Sequence, residues 1–152
     1  MRNIQKRNSR SLLGNCEQER RGFKMDKAIL VKENIEDGKR LIEALDKSNF
    51  RLTGALWFYL ADSNEWRLLL VSPLLDRLGP RGSYSIIQSV IKDQPPSFGI
   101  PLEYISVKSP KNELIRLLKV AIRTGSGISE IRFSQNTINN VFIEDALIYR
   151  LI

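Results

Sequence analysis

Trp57, Tyr59 and Arg67 are the residues best suited to recognition in this chain. All three fall within residues 51–72, RLTGALWFYLADSNEWRLLLVS, where two apolar runs flank a short polar loop. Paired as a hairpin about Asp62-Ser63-Asn64, the runs oppose Leu60 to Trp66, Phe58 to Leu68 and Leu56 to Leu70 on one face. The other face then pairs Tyr59 with Arg67, Trp57 with Leu69 and Ala55 with Val71. That second face would carry an aromatic platform with a cation beside it, suited to a base, a planar ligand or a partner's side chain. A helix lying over it would make the same residues core, which is the favoured reading because two further amphipathic helices need a surface to cover. The Phe58/Leu68 face reads as core in either case.

An anion is the second chemistry the residue types allow. SPLLDRLGPRGSY (72–84) places Arg77, Arg81 and Tyr84 around a glycine-flanked turn at an expected helix start, where backbone N–H groups and the helix dipole favour negative charge. Arg123, in the Gly-rich turn RTGSG (123–127), is a further candidate, although its simpler role is to face the C-terminal dipole of the preceding helix. Neither stretch has the GxxxxGK[ST] pattern that specifies a phosphate loop. A third chemistry would need a hard metal held by oxygen. The pair to test there is Asp76 with Glu144 or Asp145, assembled across elements, because Glu144 and Asp145 are adjacent on an expected strand and point to opposite faces.

Several other chemistries are excluded by composition. The 152 residues contain no histidine, and the single cysteine is Cys16. Cys/His zinc sites, Ser-His-Asp and Cys-His catalysis and an internal disulfide therefore cannot occur within the chain. No catalytic residue and no cofactor is indicated. No apolar run approaches the roughly 18–20 residues that a membrane span requires, so a cytosolic protein without a membrane partner is expected.

The net charge of +7 is concentrated at the start. Residues 1–24 carry seven basic and two acidic side chains, whereas residues 25–152 carry 17 and 15. The leader has no sustained period and reads as a disordered or misassigned extension, with translation starting at Met25, rather than as a nucleic-acid arm. Residues 25–152 have the length of one domain.

The elements that must position the candidate residues follow from periodicity. Ile35, Gly38, Leu41, Ile42 and Leu45 form a helical stripe, predicting a helix at about 33–47. The central hairpin follows at about 52–72. A second helix is expected from about Ser83 to Lys92, after the Gly79-Pro80 turn and before Pro95-Pro96. LEYISVKS (102–109) reads as a strand. Ser109-Pro110 signals the start of a third helix, at 110–123, with Leu114, Leu117, Leu118, Ala121 and Ile122 on one face. The tail predicts a C-terminal hairpin at about 131–150 turning at Asn139-Asn140, since asparagine tolerates positive φ. Two hairpins interspersed with three amphipathic helices imply a single α+β domain with a largely antiparallel sheet.

ALWFYLADSNEWRLLLVSPLLDRLGPRGSY and TGSGISEIRFSQNTINNVFIEDALIYRL together resemble a group of short uncharacterised bacterial proteins. The resemblance covers most of residues 25–152. It implies a bacterial, cytosolic, single-domain protein and brings no activity, cofactor or catalytic residue with it.

Three functions are consistent with these residues. The first, and the one expected, is a non-enzymatic protein-interaction or adaptor domain that binds an unidentified protein partner through the hairpin or a sheet edge. The second is a nucleic-acid-associated protein using Arg67, Arg81, Arg116, Lys119 and Arg123. The third is a metal-dependent hydrolase built on Asp76, Glu144 and Asp145.

Overall fold

The computed structural model describes residues 27–152. The leader, and with it the expectation of a start at Met25, lies outside the described residues. The first helix, α1, runs Lys32–Lys47. Its stripe is complete: Leu41, Ile42 and Leu45 are wholly buried. The chain then turns through Asn49 and Arg51, both at positive φ, around buried Phe50.

Strands β1 (Gly54–Leu60) and β2 (Glu65–Val71) form the central hairpin. Helix α2 spans Leu74–Lys92, strand β3 Ile105–Lys108, helix α3 Glu113–Ala121. Strands β4 (Ile131–Ile138) and β5 (Val141–Leu151) close the chain. The five strands form one sheet in the order β3-β2-β1-β5-β4, antiparallel except for the β2–β3 pair. This is the α+β architecture, with three helices and two hairpins, that the periodicity predicts. The C-terminal turn is where expected: Asn139 and Asn140 have φ of 48° and 67°, as a two-residue hairpin loop of this hand demands.

Alternation along β1 and β2 divides the apolar side chains between two cores. Ala55, Trp57, Leu68 and Leu70 pack with Leu41, Ile42 and Leu45 of α1 and Ile87 of α2. Leu56, Leu69 and Val71 pack with Ile115 and Leu118 of α3. One face of the sheet thus carries two helices and the other carries one. A local irregularity strengthens the first. β5 shifts register against Ala55 and Leu56. Tyr149 and Arg150, neighbours in sequence, consequently both reach α1. The Tyr149 hydroxyl donates to the Ile35 carbonyl at 2.7 Å and accepts from Trp57 Nε1 at 3.0 Å. Arg150 binds the Asp46 carboxylate through both terminal nitrogens, at 3.0 and 2.9 Å. Gly38 is required where α1 crosses Tyr149, since a Cβ there would fall on the phenol.

Three element boundaries differ from the sequence expectation, each for a local reason. α2 starts at Leu74, not near Ser83, because Gly79-Pro80 kinks the helix instead of preceding it. Gly79 adopts φ 75° and ψ 175°, so its carbonyl is not in helical position for Ser83, whose buried hydroxyl has no partner. α3 starts at Glu113, not at Pro110, because Asn112 is its cap: Oδ1 accepts from the Leu114 and Ile115 amides at 2.9 and 3.3 Å. Ser109 is engaged elsewhere, accepting from the Lys111 amide and donating to Asp76. The predicted strand at 102–109 is shorter, because Leu102–Tyr104 forms a single 3-10 turn.

Candidate functional site

The Trp57-Tyr59-Arg67 platform does not form. The hairpin pairs one residue out of the expected register: Tyr59 opposes Trp66, Trp57 opposes Leu68, and Phe58 opposes Arg67. The loop explains the shift. Asn64 adopts φ 51° and its amide bonds back to the Ala61 carbonyl, so Glu65 is already opposite Leu60. A slip of one residue exchanges the faces. Trp57 and Tyr59 therefore lie under α1 and α2, at 3% and 6% exposure. Arg67 points to the opposite face, bound to Glu65, to Ser106 and to the Glu103 carbonyl. Phe58, expected in a closed core, is only half-buried on that same opposite face.

Tyr59 instead joins a different cluster. Its ring lies 5.4 Å from that of Trp66, and Lys27 Nζ sits 4.8 Å from its centroid. Lys27 donates to Asp145 Oδ2 at 2.7 Å. Arg132 grips the same carboxylate through Nε and one terminal nitrogen, at 2.7 and 2.8 Å, with its guanidinium 5.4 Å from the Trp66 ring. Asp145 is 4% exposed. Burial alone would raise its carboxyl, but the hydrogen bonds from Arg132 and Lys27 outweigh that and hold it below the ordinary carboxylate range. Burial pushes the Tyr149 phenol well above its usual value, more than the Trp57 hydrogen bond lowers it.

The remaining sequence candidates are dispersed. Tyr84 accepts from the Val107 amide at 2.9 Å and so fastens α2 to the outer side of β3. Arg77 and Arg81 are exposed on α2, one on either side of the Gly79 kink. Arg123 follows α3, on the other face of the sheet, so the four do not converge on one anion. Asp76 accepts from Ser109 near β3, and Asp145 is committed to Lys27 and Arg132. Glu144 belongs to a separate hollow with Phe58 and Phe142. No group of three metal-capable side chains occurs among the described residues, and the Asp76, Glu144, Asp145 set is not assembled.

The structure draws attention to a surface that the sequence reading did not single out. α3 is nine residues long and lies over one face of a five-stranded sheet. Val120, Val141 and Phe142 are left 65%, 45% and 58% exposed. A hollow of about 300 Å³ lies between Leu117, Val120 and Asn139, and one of about 390 Å³ between Leu114, Leu117 and Val141. A third, of about 370 Å³, separates Phe142 from the β1–β2 loop. β4 changes sides beneath this region. Ile131 and Phe133 face α3, Gln135 takes φ 48°, and beyond it Ile138 faces α3. That change breaks the period-2 pattern, which is why sequence alternation does not reveal which residues of the hairpin tip are exposed.

No family model, curated protein or solved structure matches the chain. Among the described residues, no helix is long and apolar enough to cross a membrane.

Two signals could have found the structural charge clusters. Asp145 and Arg150 interrupt the apolar run of β5, and a charge inside such a run needs a buried partner. Asp37 interrupts the α1 stripe in the same way; its carboxylate accepts from Arg40 and from the Gly99 amide.

Proposed function

We propose that the chain is a non-enzymatic interaction domain whose protein partner docks on α3 and the tip of the β4–β5 hairpin. The exposed apolar group of Val120, Val141 and Phe142 carries this reading. Each borders a hollow, Val120 and Val141 on either side of Leu117 and Phe142 beside the β1–β2 loop, and large apolar side chains left exposed beside hollows are candidates for a contact with a partner. The occupant that fits is an amphipathic helix. Leu114, Leu117 and Val120 recur every third residue along α3, forming a ridge that a second helix can receive in its groove. The hollows on either side of Leu117 would take its apolar side chains. Glu113, Arg116 and Lys119 supply charges of both signs on the same helix, a polar surround typical of interface rims.

The nucleic-acid reading is less well supported. Arg67 is tied to Glu65, Arg81 lies on α2, and Arg116, Lys119 and Arg123 belong to the opposite side of the sheet, so no single backbone track joins all five.

The test compares the full-length chain with a Val120→Ser, Phe142→Ser double variant in co-purification from the native host, with crosslinks mapped. A specific protein retained by the wild type, crosslinked to α3 or the hairpin tip and lost from the double variant, is the expected result. A wild-type chain that retains no specific protein, or a partner held equally by both chains, overturns the proposal.

A further inference from the structure

Phe142 borders a hollow of about 370 Å³ between the β1–β2 loop and β5. It opens where the two strands part. The last pair joining β1 to β5 is Phe58 with Ala146, and Tyr59 and Leu60 have no partner in β5. Alternation places the side chains around the hollow. Glu144 stands two residues from Ala146, and Ala146 opposes Phe58, so Glu144 comes to the Phe58 side of the sheet. That is the α3 side, to which Phe58 and Ala146 both belong. Phe58 and Glu144 are half-buried there, and Phe142 is 58% exposed. Both rings therefore keep surface that a ligand can meet.

Glu144 differs from the other acids built into β5 and α1. Asp145, the next residue, is held by Lys27 and Arg132, and Asp37 and Asp46 each bind an arginine. Glu144 has no hydrogen bond or ion pair with any described residue. Exposed Asp62, from the β1–β2 loop, brings a second carboxylate to the same hollow. The face of a phenyl ring attracts a cation within about 6 Å of its centre. A carboxylate beside the rings supplies the full counter-charge, and partial burial makes that attraction stronger than in open water. An ammonium or guanidinium on an aliphatic stem satisfies both, because the stem packs on the rings while the head reaches the carboxylate. An acidic group would meet like charge. We infer, on the docking reading above, that this hollow receives a basic side chain, arginine or lysine, of the protein partner seated on α3. The two sites adjoin: Val141, which lines the hollow beside Leu117, precedes Phe142 in the chain.

The test uses three synthetic amphipathic helices that share one leucine stripe and carry arginine, glutamine or glutamate at the flanking positions. Binding of each labelled peptide to the full-length protein is measured by fluorescence anisotropy at physiological salt. The arginine peptide should bind about fivefold more tightly than the glutamine peptide, the scale of one partly exposed ion pair with its ring contact, and the glutamate peptide should bind most weakly. The net charge of +7 would favour the reverse order, so this preference reports the hollow and not the overall field of the chain. Glu144→Gln, at a half-buried position with no ion pair to lose among the described residues, should bring the arginine and glutamine peptides within about twofold of each other. Val120→Ser should weaken all three. If the peptides bind alike and lose affinity in Val120→Ser, the docking surface stands and the basic anchor is rejected. An arginine preference that survives Glu144→Gln rejects the anchor as well. If no peptide binds, the docking reading itself fails and the basic anchor falls with it.

Discussion

The two faces of the sheet are built from the same two strands and finished differently. Under α1 and α2, the apolar side chains of β1 and β2 are closed over, and the charged groups that enter are matched. Asp37, Asp145 and Arg150 are each at most 4% exposed, and each is bound to an opposite charge. Under α3, the same strands present equally apolar residues to a helix of nine residues, which buries Ile115 and Leu118 and leaves Val120, Val141 and Phe142 in water. Fold stability and partner binding are thereby assigned to opposite sides. A buried ionic group that loses its partner is costly, so networks of that kind suit a face that never opens. An incompletely covered apolar face has the opposite character and gains by acquiring a partner.

The sharpest way to break this comparison is Gly38→Ala. The added Cβ would fall on the Tyr149 phenol, whose hydroxyl joins Trp57 of the sheet to the Ile35 carbonyl of α1. Neither hydrogen bond survives a displacement of the ring, and no water can replace them at zero exposure of Tyr149. A loss of about 3 kcal/mol is expected, the upper end for overpacking, seen as a lower urea midpoint with an unchanged slope. A loss below about 1 kcal/mol would mean that this face can repack, and its contrast with the α3 face would fail.

Asp145→Asn probes the same face through charge. It leaves Lys27 and Arg132 converging on a neutral amide above Tyr59 and Trp66, at a cost of about 1–2 kcal/mol. The pH dependence follows from the direction of the shift. Asp145 has a lowered carboxyl value in the folded state because the hydrogen bonds from Arg132 and Lys27 outweigh the upward push of burial. Its contribution is present above the ordinary aspartate value of about 4 and is lost as pH falls through the lower folded value. The stability gap between wild type and Asp145→Asn should thus be full at neutral pH and narrow below about pH 4. A gap that stays constant from neutral to acid pH would show that the carboxylate contributes by shape and not by charge.

Legibility in the sequence followed the same division. Helical stripes such as Leu41-Ile42-Leu45, and the Asn139-Asn140 turn, are set by local period and by one backbone preference, and both are visible in a string of residues. The face on which Trp57 and Arg67 lie depends on whether Asn64 closes the loop one residue early, and its conformation is stabilised by the distant Ala28 amide. No local pattern contains that information. Parity converts such a small local change into an exchange of the cross-strand partners on each face, so an accurate element boundary does not tell which residues of the two strands share a face. The Lys27–Asp145–Arg132 cluster was hidden for a related reason. It joins residues 118 and 13 positions apart, through a strand order that places β5 between β1 and β4.

The smallest expected effect is the most discriminating. Val120→Ser with Phe142→Ser removes two apolar groups that the folded chain leaves in water, so little burial is lost and stability should change by about 0.5 kcal/mol or less. Leu118→Ala, two residues from Val120 but wholly buried, should cost about 2–5 kcal/mol. Both variants act on the α3 face, and differential scanning calorimetry on the purified chains separates them. If the surface pair is as destabilising as Leu118→Ala, then Val120 and Phe142 are structural and the face is as closed as its opposite. If the pair leaves the melting temperature in place, the fold has no use for these side chains. An apolar group kept in water without benefit to the fold points to a contact made outside the chain, and the α3 face is then where a partner should be sought.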